Sequence, residues 1–163
     1  MTKTNLILQA MPVSTEAFKP FGTLLDAALA DPRLNFTVQL TNPRAHARPN
    51  FALIRPPITE LPLDVTVMEH HPFSEQIFIP LGDTPFIVVV AHDDGHGRPD
   101  PATLQAFTVS GDLAISYRSD TWHTGMASLH KHGSFAMFIY EDGTSDDCVF
   151  CDVDPFQVHI ASA

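Results

Sequence analysis

From residue 51 onward, the sequence is a succession of short runs rich in β-branched and aromatic residues, separated by residues typical of turns. Helical periodicity sustained over several turns is absent. Short strands at this spacing, without intervening helices, predict an all-β sandwich or barrel. The predicted strands cover residues 51–54, 65–69, 76–79, 86–91, 104–109, 114–117, 135–140 and 148–153.

The first third of the chain is less regular. One short helix is predicted over residues 14–19, with Ser14 as its N-cap and Pro20 as its stop. Residues 31–57 are rich in Pro, Arg and Asn, and we expect a loop with short strands there. The length of 163 residues suits one domain and no internal repeat is visible, so a single domain over residues 1–163 is predicted.

Charge and hydropathy exclude several classes of partner. The net charge is −10 with only nine Lys and Arg residues, whereas nucleic acid and anionic membranes require a cationic surface. No apolar run approaches the roughly 20 residues of a membrane helix, and the N-terminus lacks a signal-peptide pattern. We therefore expect a cytoplasmic protein with a small-molecule partner. If that partner is an anion, one of the few arginines should bind it.

The two cysteines, Cys148 and Cys151, lie three residues apart in a predicted strand. Residues at that spacing point to opposite faces of a strand. The pair is therefore interpreted as two small apolar side chains, and a redox pair or half of a zinc site is the alternative.

Two short segments carry the residues best suited to chemistry. In the first, Glu69 and His71 share a face at a strand end, and Glu75 or Gln76 opens the next strand after a turn. The second segment ends in His123. We expect Glu69, His71, either Glu75 or Gln76, and His123 to converge inside the barrel. Imidazole and carboxylate groups together bind Zn, Fe, Mn or Ni; the alternative is that these histidines are only surface or core residues.

This spacing resembles the first cupin motif, with Glu69-x-His71, Glu75 and Gly82 in its conserved positions and Glu69 replacing the first histidine. A more specific resemblance, to the ureidoglycolate lyase family, extends over most of the chain. The segments that carry it include Glu69-His70-His71-Pro72, Gln76-x-Phe78-Ile79-Pro80-Leu81, Pro85-Phe86, Pro99-Asp100, Tyr117, Trp122-His123 and, near the N-terminus, Phe21-Gly22.

The resemblance implies a cupin-type double-stranded β-helix (a jelly-roll barrel), usually as a homodimer. It also implies an enzyme that splits ureidoglycolate into glyoxylate and urea in purine nitrogen salvage (allantoin degradation). Several positions, such as His70, Glu75 and Thr124, depart from the usual family residues, which leaves the exact substrate open.

The lyase reaction needs a base for the hemiaminal hydroxyl, an acid for the leaving nitrogen and a cation for the substrate carboxylate. The candidate catalytic residues are Glu69, His71 and His123. The candidate substrate-binding residues are Arg55, Gln76, Tyr117, Arg118 and Trp122. A divalent metal ion, if bound, is predicted on Glu69, His71, Glu75 or Gln76, and His123.

Two other functions are compatible with the sequence. One is a cupin metalloenzyme of different chemistry, such as an isomerase or dioxygenase, acting on a small carboxylate. The other is a non-enzymatic cupin that binds a small acid. Turnover of ureidoglycolate and a metal assay distinguish these functions.

Overall fold

The computed structural model describes residues 6–26, 33, 35 and 40–161, and it consists mainly of β-strands. The strands, labelled in chain order, are β1 (Leu6–Pro12), β2 (Gly22–Asp26), β3 (Arg48–Ile54), β4 (Leu63–His70), β5 (Gln76–Pro80), β6 (Phe86–Ala91), β7 (Gln105–Val109), β8 (Leu113–Tyr117), β9 (Trp122–His123), β10 (Ala127–Ser128), β11 (Phe135–Glu141) and β12 (Val149–Ile160). The helical elements are α1 (Thr15–Phe18) and the 3-10 turns Pro101–Thr103 and Ser145–Asp147. None of the helices in the described ranges is long and apolar enough to span a membrane.

One sheet closes on itself. Its strand order is β10-β6-β7-β1-β12-β4-β9, and β6 also pairs with β9. Six strands therefore form a closed ring: β6, β7, β1, β12, β4 and β9. Strand β1 runs parallel to β7 and β12, whereas the other pairs are antiparallel. Closure pairs both sides of each ring strand, which removes exposed edges. We refer to these six strands as the ring.

The second sheet has five antiparallel strands in the order β2-β8-β5-β11-β3. Strand β2 approaches β8 so closely that a Cβ atom at Gly22 would lie 2.0 Å from the Ser116 carbonyl oxygen. Only glycine permits this approach. A closed ring beside a second sheet confirms the all-β prediction and is consistent with the cupin jelly roll.

Two apolar cores lie on the two faces of β6, which is buried along its whole length. Ile87, Val89 and Ala91 belong to the core inside the ring, together with Met68 and Trp122. The alternate β6 residues pack against the five-stranded sheet in the second core; they are Phe86, Val88 and Val90. A strand that is apolar on both faces is typical of this central position.

The predicted strands correspond to β3–β8, β11 and β12, and α1 begins where predicted, with the Ser14 hydroxyl accepting a hydrogen bond from the Ala17 amide. Strands β1, β2, β9 and β10 were not predicted. Within the expected loop, residues 31, 32, 34 and 36–39 lie outside the described residues, and β3 occupies part of its end.

The two cysteines point in different directions: Cys151 lies in β12, and Cys148 directly precedes that strand. Cys151 is buried in the ring core, whereas the Cys148 Sγ lies 3.6 Å from Glu69 Oε2. Both thiols are free. Their divergence is incompatible with a disulfide between them or with a shared metal ion.

Candidate active site

Several strand ends bring polar side chains together between the ring and the five-stranded sheet. Glu69 on β4 and His123 on β9 are register partners, so their side chains leave the sheet on the same face. Gln76, the first residue of β5, pairs in the same way with Tyr117, the last residue of β8. His71 directly follows β4.

Glu69, His71 and His123 form a compact group, which we call the Glu-His-His group. One ligand-type atom from each residue lies within 4.8 Å of the other two. His123 Nε2 is 3.6 Å from Glu69 Oε1, and the two imidazole centroids are 5.3 Å apart. The two histidines are buried, while the Glu69 side chain is 21% exposed. The strand spacing predicted this convergence.

Backbone carbonyl groups determine which nitrogen of each imidazole carries the proton. His71 Nδ1 lies 2.6 Å from the Asp147 carbonyl oxygen, and His123 Nδ1 lies 2.8 Å from the Thr121 carbonyl oxygen. Since a carbonyl oxygen only accepts hydrogen bonds, both Nδ1 atoms donate. In the neutral rings this leaves the Nε2 atoms as acceptors.

Burial makes His123 a poor base. It lowers the pKa of His123 to about 3, and the neighbouring His71 acts in the same direction. The hydrogen bond to the Thr121 carbonyl oxygen acts in the opposite direction, but burial is the larger effect. Burial, followed by Glu69, likewise raises the pKa of the Cys148 thiol to about 12. His123 is thus a neutral imidazole and Cys148 a thiol at neutral pH.

The Gln76 side chain also contacts His123. Its Oε1 atom is 3.1 Å from His123 Nε2, yet two acceptors do not form a hydrogen bond. The oxygen and nitrogen of an amide are interchangeable by a flip, so the consistent arrangement has the Gln76 amide nitrogen donating to Nε2. Gln76 therefore interacts directly with the Glu-His-His group.

Tyr117 covers one side of His123. The two rings stack with centroids 4.1 Å apart and an interplanar angle of 17°. The phenol is buried, and its oxygen has no hydrogen-bond partner within the part of the chain that the structure describes. Burial, with a smaller contribution from Glu69, raises the pKa of Tyr117 well above its usual range. The phenol is therefore a protonated donor without an acceptor, which is uncommon for a buried polar group.

The Glu-His-His group fits a divalent metal ion. In the described ranges the buried Nε2 atom of His71 has no hydrogen-bond partner. Both histidines donate through Nδ1, as metal-binding histidines usually do. Two imidazoles and one carboxylate suit Zn, Mn, Fe or Ni. This part of the predicted metal site is therefore brought together by the structure.

Glu75 is placed differently from its prediction as a metal ligand. Its carboxylate accepts hydrogen bonds from the Thr41 amide at 2.8 Å and from the Thr41 hydroxyl at 2.9 and 3.1 Å. Because side chains alternate along a strand, Glu75 and the following Gln76 point to opposite faces. Of the two, Gln76 is the residue that reaches the Glu-His-His group.

The two arginines predicted to hold the substrate carboxylate do not reach this group. Arg118 is exposed and donates to the carbonyl oxygens of Pro20 and Lys19 at 3.1 and 3.2 Å. Arg55 is exposed and directly follows β3. The last residue of β3 pairs with Phe135 on β11, which in turn pairs with Pro80 on β5. Pro80 is the last residue of β5 and Gln76 the first, so Arg55 lies at the other end of the sheet.

Trp122 is likewise separated from the group, although it precedes His123 in the sequence. Its side chain lies in the ring core and is fully buried. The indole nitrogen donates to Asp93 Oδ2 at 3.0 Å, and the ring stacks on His70 at 4.0 Å. This placement favours a packing role over the predicted contact with substrate.

Sequence reasoning missed Asp147 and Cys148, which contact the group. It also missed Arg44, which pairs with Asp147, and Thr41, which binds Glu75. Arg44 Nη1 is paired with Asp147 Oδ1 at 2.7 Å across 103 residues of sequence. Such a pair leaves no local pattern. The one available signal was the predicted strand, in which Cys148 points to the face opposite to Cys151.

Comparisons with known proteins identify the family. The family model described as "Ureidoglycolate lyase" matches residues 5–160. The chain is 37% identical to the ureidoglycolate lyase of Brucella anthropi over 133 residues, which is 76% of this chain and 77% of that protein. It is 34% identical to the ureidoglycolate lyase of Rhizobium etli over 151 residues, covering 86% and 87% of the two chains. The chain therefore belongs to the ureidoglycolate lyase family.

Proposed function

We propose that this protein is a carbon–nitrogen lyase that cleaves ureidoglycolate to glyoxylate and urea. Membership of the family, whose relatives carry that name, supports the reaction. The observation that carries the assignment of the site is the Glu-His-His group, with the buried and unpartnered Nε2 of His71. We further propose a role in purine nitrogen salvage, as the sequence resemblance implies, and a cytoplasmic location.

The reaction requires one net proton transfer. The hydroxyl group of the hemiaminal carbon loses its proton, and its oxygen forms the carbonyl bond of glyoxylate. The carbon–nitrogen bond breaks with its electron pair going to nitrogen, which is protonated and leaves as urea. A group that accepts the first proton and donates the second is therefore sufficient as acid and base.

Glu69, His71 and His123 would hold a divalent ion, which lowers the pKa of an oxygen bound to it. We assign the proton transfer to the second carboxylate oxygen of Glu69, the one that would not hold the ion, because Glu69 is the partly exposed member of the group. His123 is too weakly basic for that role, since burial lowers its pKa to about 3. His123 would instead hold the ion through Nε2, which would release the Gln76 amide from its contact with that atom.

Two neutral donors are available to orient the substrate. The protonated Tyr117 phenol has no hydrogen-bond partner among the described residues and is assigned to the ureido group. The Gln76 amide, 3.1 Å from His123 Nε2, is assigned to the carboxylate of the small anionic substrate. Arg55 and Arg118 are left out of this assignment because the structure places them away from the group.

The assignment is tested by incubating the protein with ureidoglycolate and measuring urea and glyoxylate. We expect the two products in equal amounts, loss of turnover after treatment with a chelator, and recovery with a divalent metal ion. Binding of glyoxylate without urea release would contradict the proposed activity and indicate a small-acid-binding module. Turnover that is insensitive to chelation would contradict the metal assignment alone.

We propose that the protein is a homodimer, as the resemblance implies. Exposed apolar residues cluster on the outer face of the five-stranded sheet, where the edge-strand residues Phe51 and Leu53 are 67% and 65% exposed. The register places Leu53 on the row of Ile79, which is 44% exposed. Burying such a patch and edge against a second copy is favourable.

Light scattering at micromolar concentration is expected to give twice the mass of the chain. Leu53→Asp should produce monomers, because it places a charge in the apolar patch. Ile7→Asp is the control, since Ile7 is exposed on β1 in the other sheet. A monomeric wild-type protein would contradict the proposal.

A further inference from the structure

Arg44 lies among groups that it holds together. Its Nη1 atom is 2.7 Å from Asp147 Oδ1 and 3.1 Å from Asp142 Oδ1. Its Nη2 atom donates to the Tyr140 carbonyl oxygen at 3.0 Å, and the guanidinium carbon lies 5.1 Å from the centre of the Phe73 ring. The Arg44 side chain is only 14% exposed. A planar fork of this kind fixes its partners more rigidly than a lysine does.

The two carboxylates belong to one loop, residues 142–147. The Asp147 carboxylate also accepts hydrogen bonds from the main-chain amides of Asp142 and Gly143, the shortest at 2.9 and 2.7 Å, and closes the loop. Gly143 has a φ of +85°, which suits the turn. Because both carboxylates lie beside one Nη1 atom, Arg44 supplies the cation that offsets their mutual repulsion.

The loop contacts the Glu-His-His group at two points. The main-chain carbonyl oxygen of Asp147 is 2.6 Å from His71 Nδ1. The next residue, Cys148, places its Sγ 3.6 Å from Glu69 Oε2. The segment that Arg44 fixes is therefore the segment that sets the orientation of the His71 ring.

We infer that Arg44 is a positioning residue that acts through Asp147 to keep the proton of His71 on Nδ1 and its Nε2 lone pair free for the site. The hydrogen bond at one imidazole nitrogen determines which nitrogen carries the proton. Loss of Arg44 leaves the Asp142 and Asp147 carboxylates without their common cation. The loop then moves, the carbonyl leaves Nδ1, and the proton is free to occupy Nε2.

The test is long-range ¹⁵N NMR of the histidine rings in the full chain, with chelator, at a pH where the rings are neutral. We expect the Nδ1–H tautomer for His71 in the wild type and a substantial Nε2–H population in Arg44→Met. Affinity for Co²⁺, followed by its absorption spectrum, should weaken by about 10–100-fold, as for other residues that orient metal ligands. Only the effect on turnover depends on the proposed lyase activity.

Arg98→Met is the matched control, because Arg98 is exposed and donates to the Asp152 carbonyl oxygen at 2.9 Å, away from the group. It should leave the His71 tautomer and the Co²⁺ affinity unchanged. An unchanged Nδ1–H signal in Arg44→Met would overturn the inference.

If Arg44→Met does not fold, Arg44→Lys decides, since it keeps the charge and removes the planar fork. We then expect a partial shift of the His71 tautomer, and a spectrum identical to wild type would overturn the inference. A wild-type protein that releases no urea would contradict the proposed function but leave the comparison of tautomers valid.

Discussion

Replacing His123 by alanine is expected to reduce urea release from ureidoglycolate by about 100-fold or more while leaving the fold intact. Loss of a residue that would hold the metal ion removes the activation of the substrate oxygen that the ion supplies. His123 Nε2 lies 3.6 Å from Glu69 Oε1 and 3.1 Å from the Gln76 side chain. The substitution therefore removes one member of the group and the contact that orients a second residue. Steady-state turnover at saturating substrate is the measurement.

The control for this experiment is His132→Ala, since His132 is exposed and its main-chain oxygen accepts a hydrogen bond from the Thr84 hydroxyl, a contact that the substitution keeps. His123→Ala also removes a buried hydrogen-bonding ring, at a cost of about 1–3 kcal/mol of stability. Thermal melts of the two variants separate the effects. A destabilised His123→Ala protein with near-normal turnover at low temperature would mean that His123 is structural and that the site is assigned wrongly.

The second large effect concerns stability and pH. We expect the metal-free protein to lose about 2 kcal/mol of unfolding free energy between pH 7 and pH 5 through His123 alone. The unfolded chain binds a proton at His123 near the ordinary pKa of about 6.5, whereas burial lowers the folded-state pKa to about 3. Over this interval the unfolded state binds more protons, so stability falls as the pH falls.

Urea denaturation with chelator at the two pH values measures this change. Burial also lowers the pKa of His70, against the opposing effect of Asp120, so His70 adds to the loss. His123→Gln should flatten the dependence, while His132→Gln should leave it unchanged. Equal stability of the wild type at pH 7 and pH 5 would contradict the assignment of a neutral, buried His123.

The local sequence pattern was sufficient to predict the buried strand β6 but insufficient to predict β1, β9 and β10. Strand β6 is a continuous apolar run between turn residues and was predicted within its observed bounds. In β1, by contrast, Ala10 is the one buried residue. That strand is held by parallel pairing with β12, at the opposite end of the sequence. Strands β9 and β10 have two residues each, too few for any periodicity.

The candidate site divides in the same way. Glu69 and His71 could be placed together because they lie two residues apart at a strand end, and Gln76 could be chosen over Glu75 once the register was known. The environment of His71 could not be predicted. It depends on the pairing of Arg44 with Asp147, which joins a poorly patterned segment to a distant loop.

The double-sided burial of β6 has a consequence for engineering this protein. Each side chain of the strand packs in one of two cores. Substitutions placed there to alter substrate specificity would therefore also destabilise the fold. Gln76 and Tyr117 belong to the other sheet, on β5 and β8. Changes of substrate preference are therefore best sought at Gln76, which belongs to neither core, while the ring continues to hold Glu69 and His123 in register.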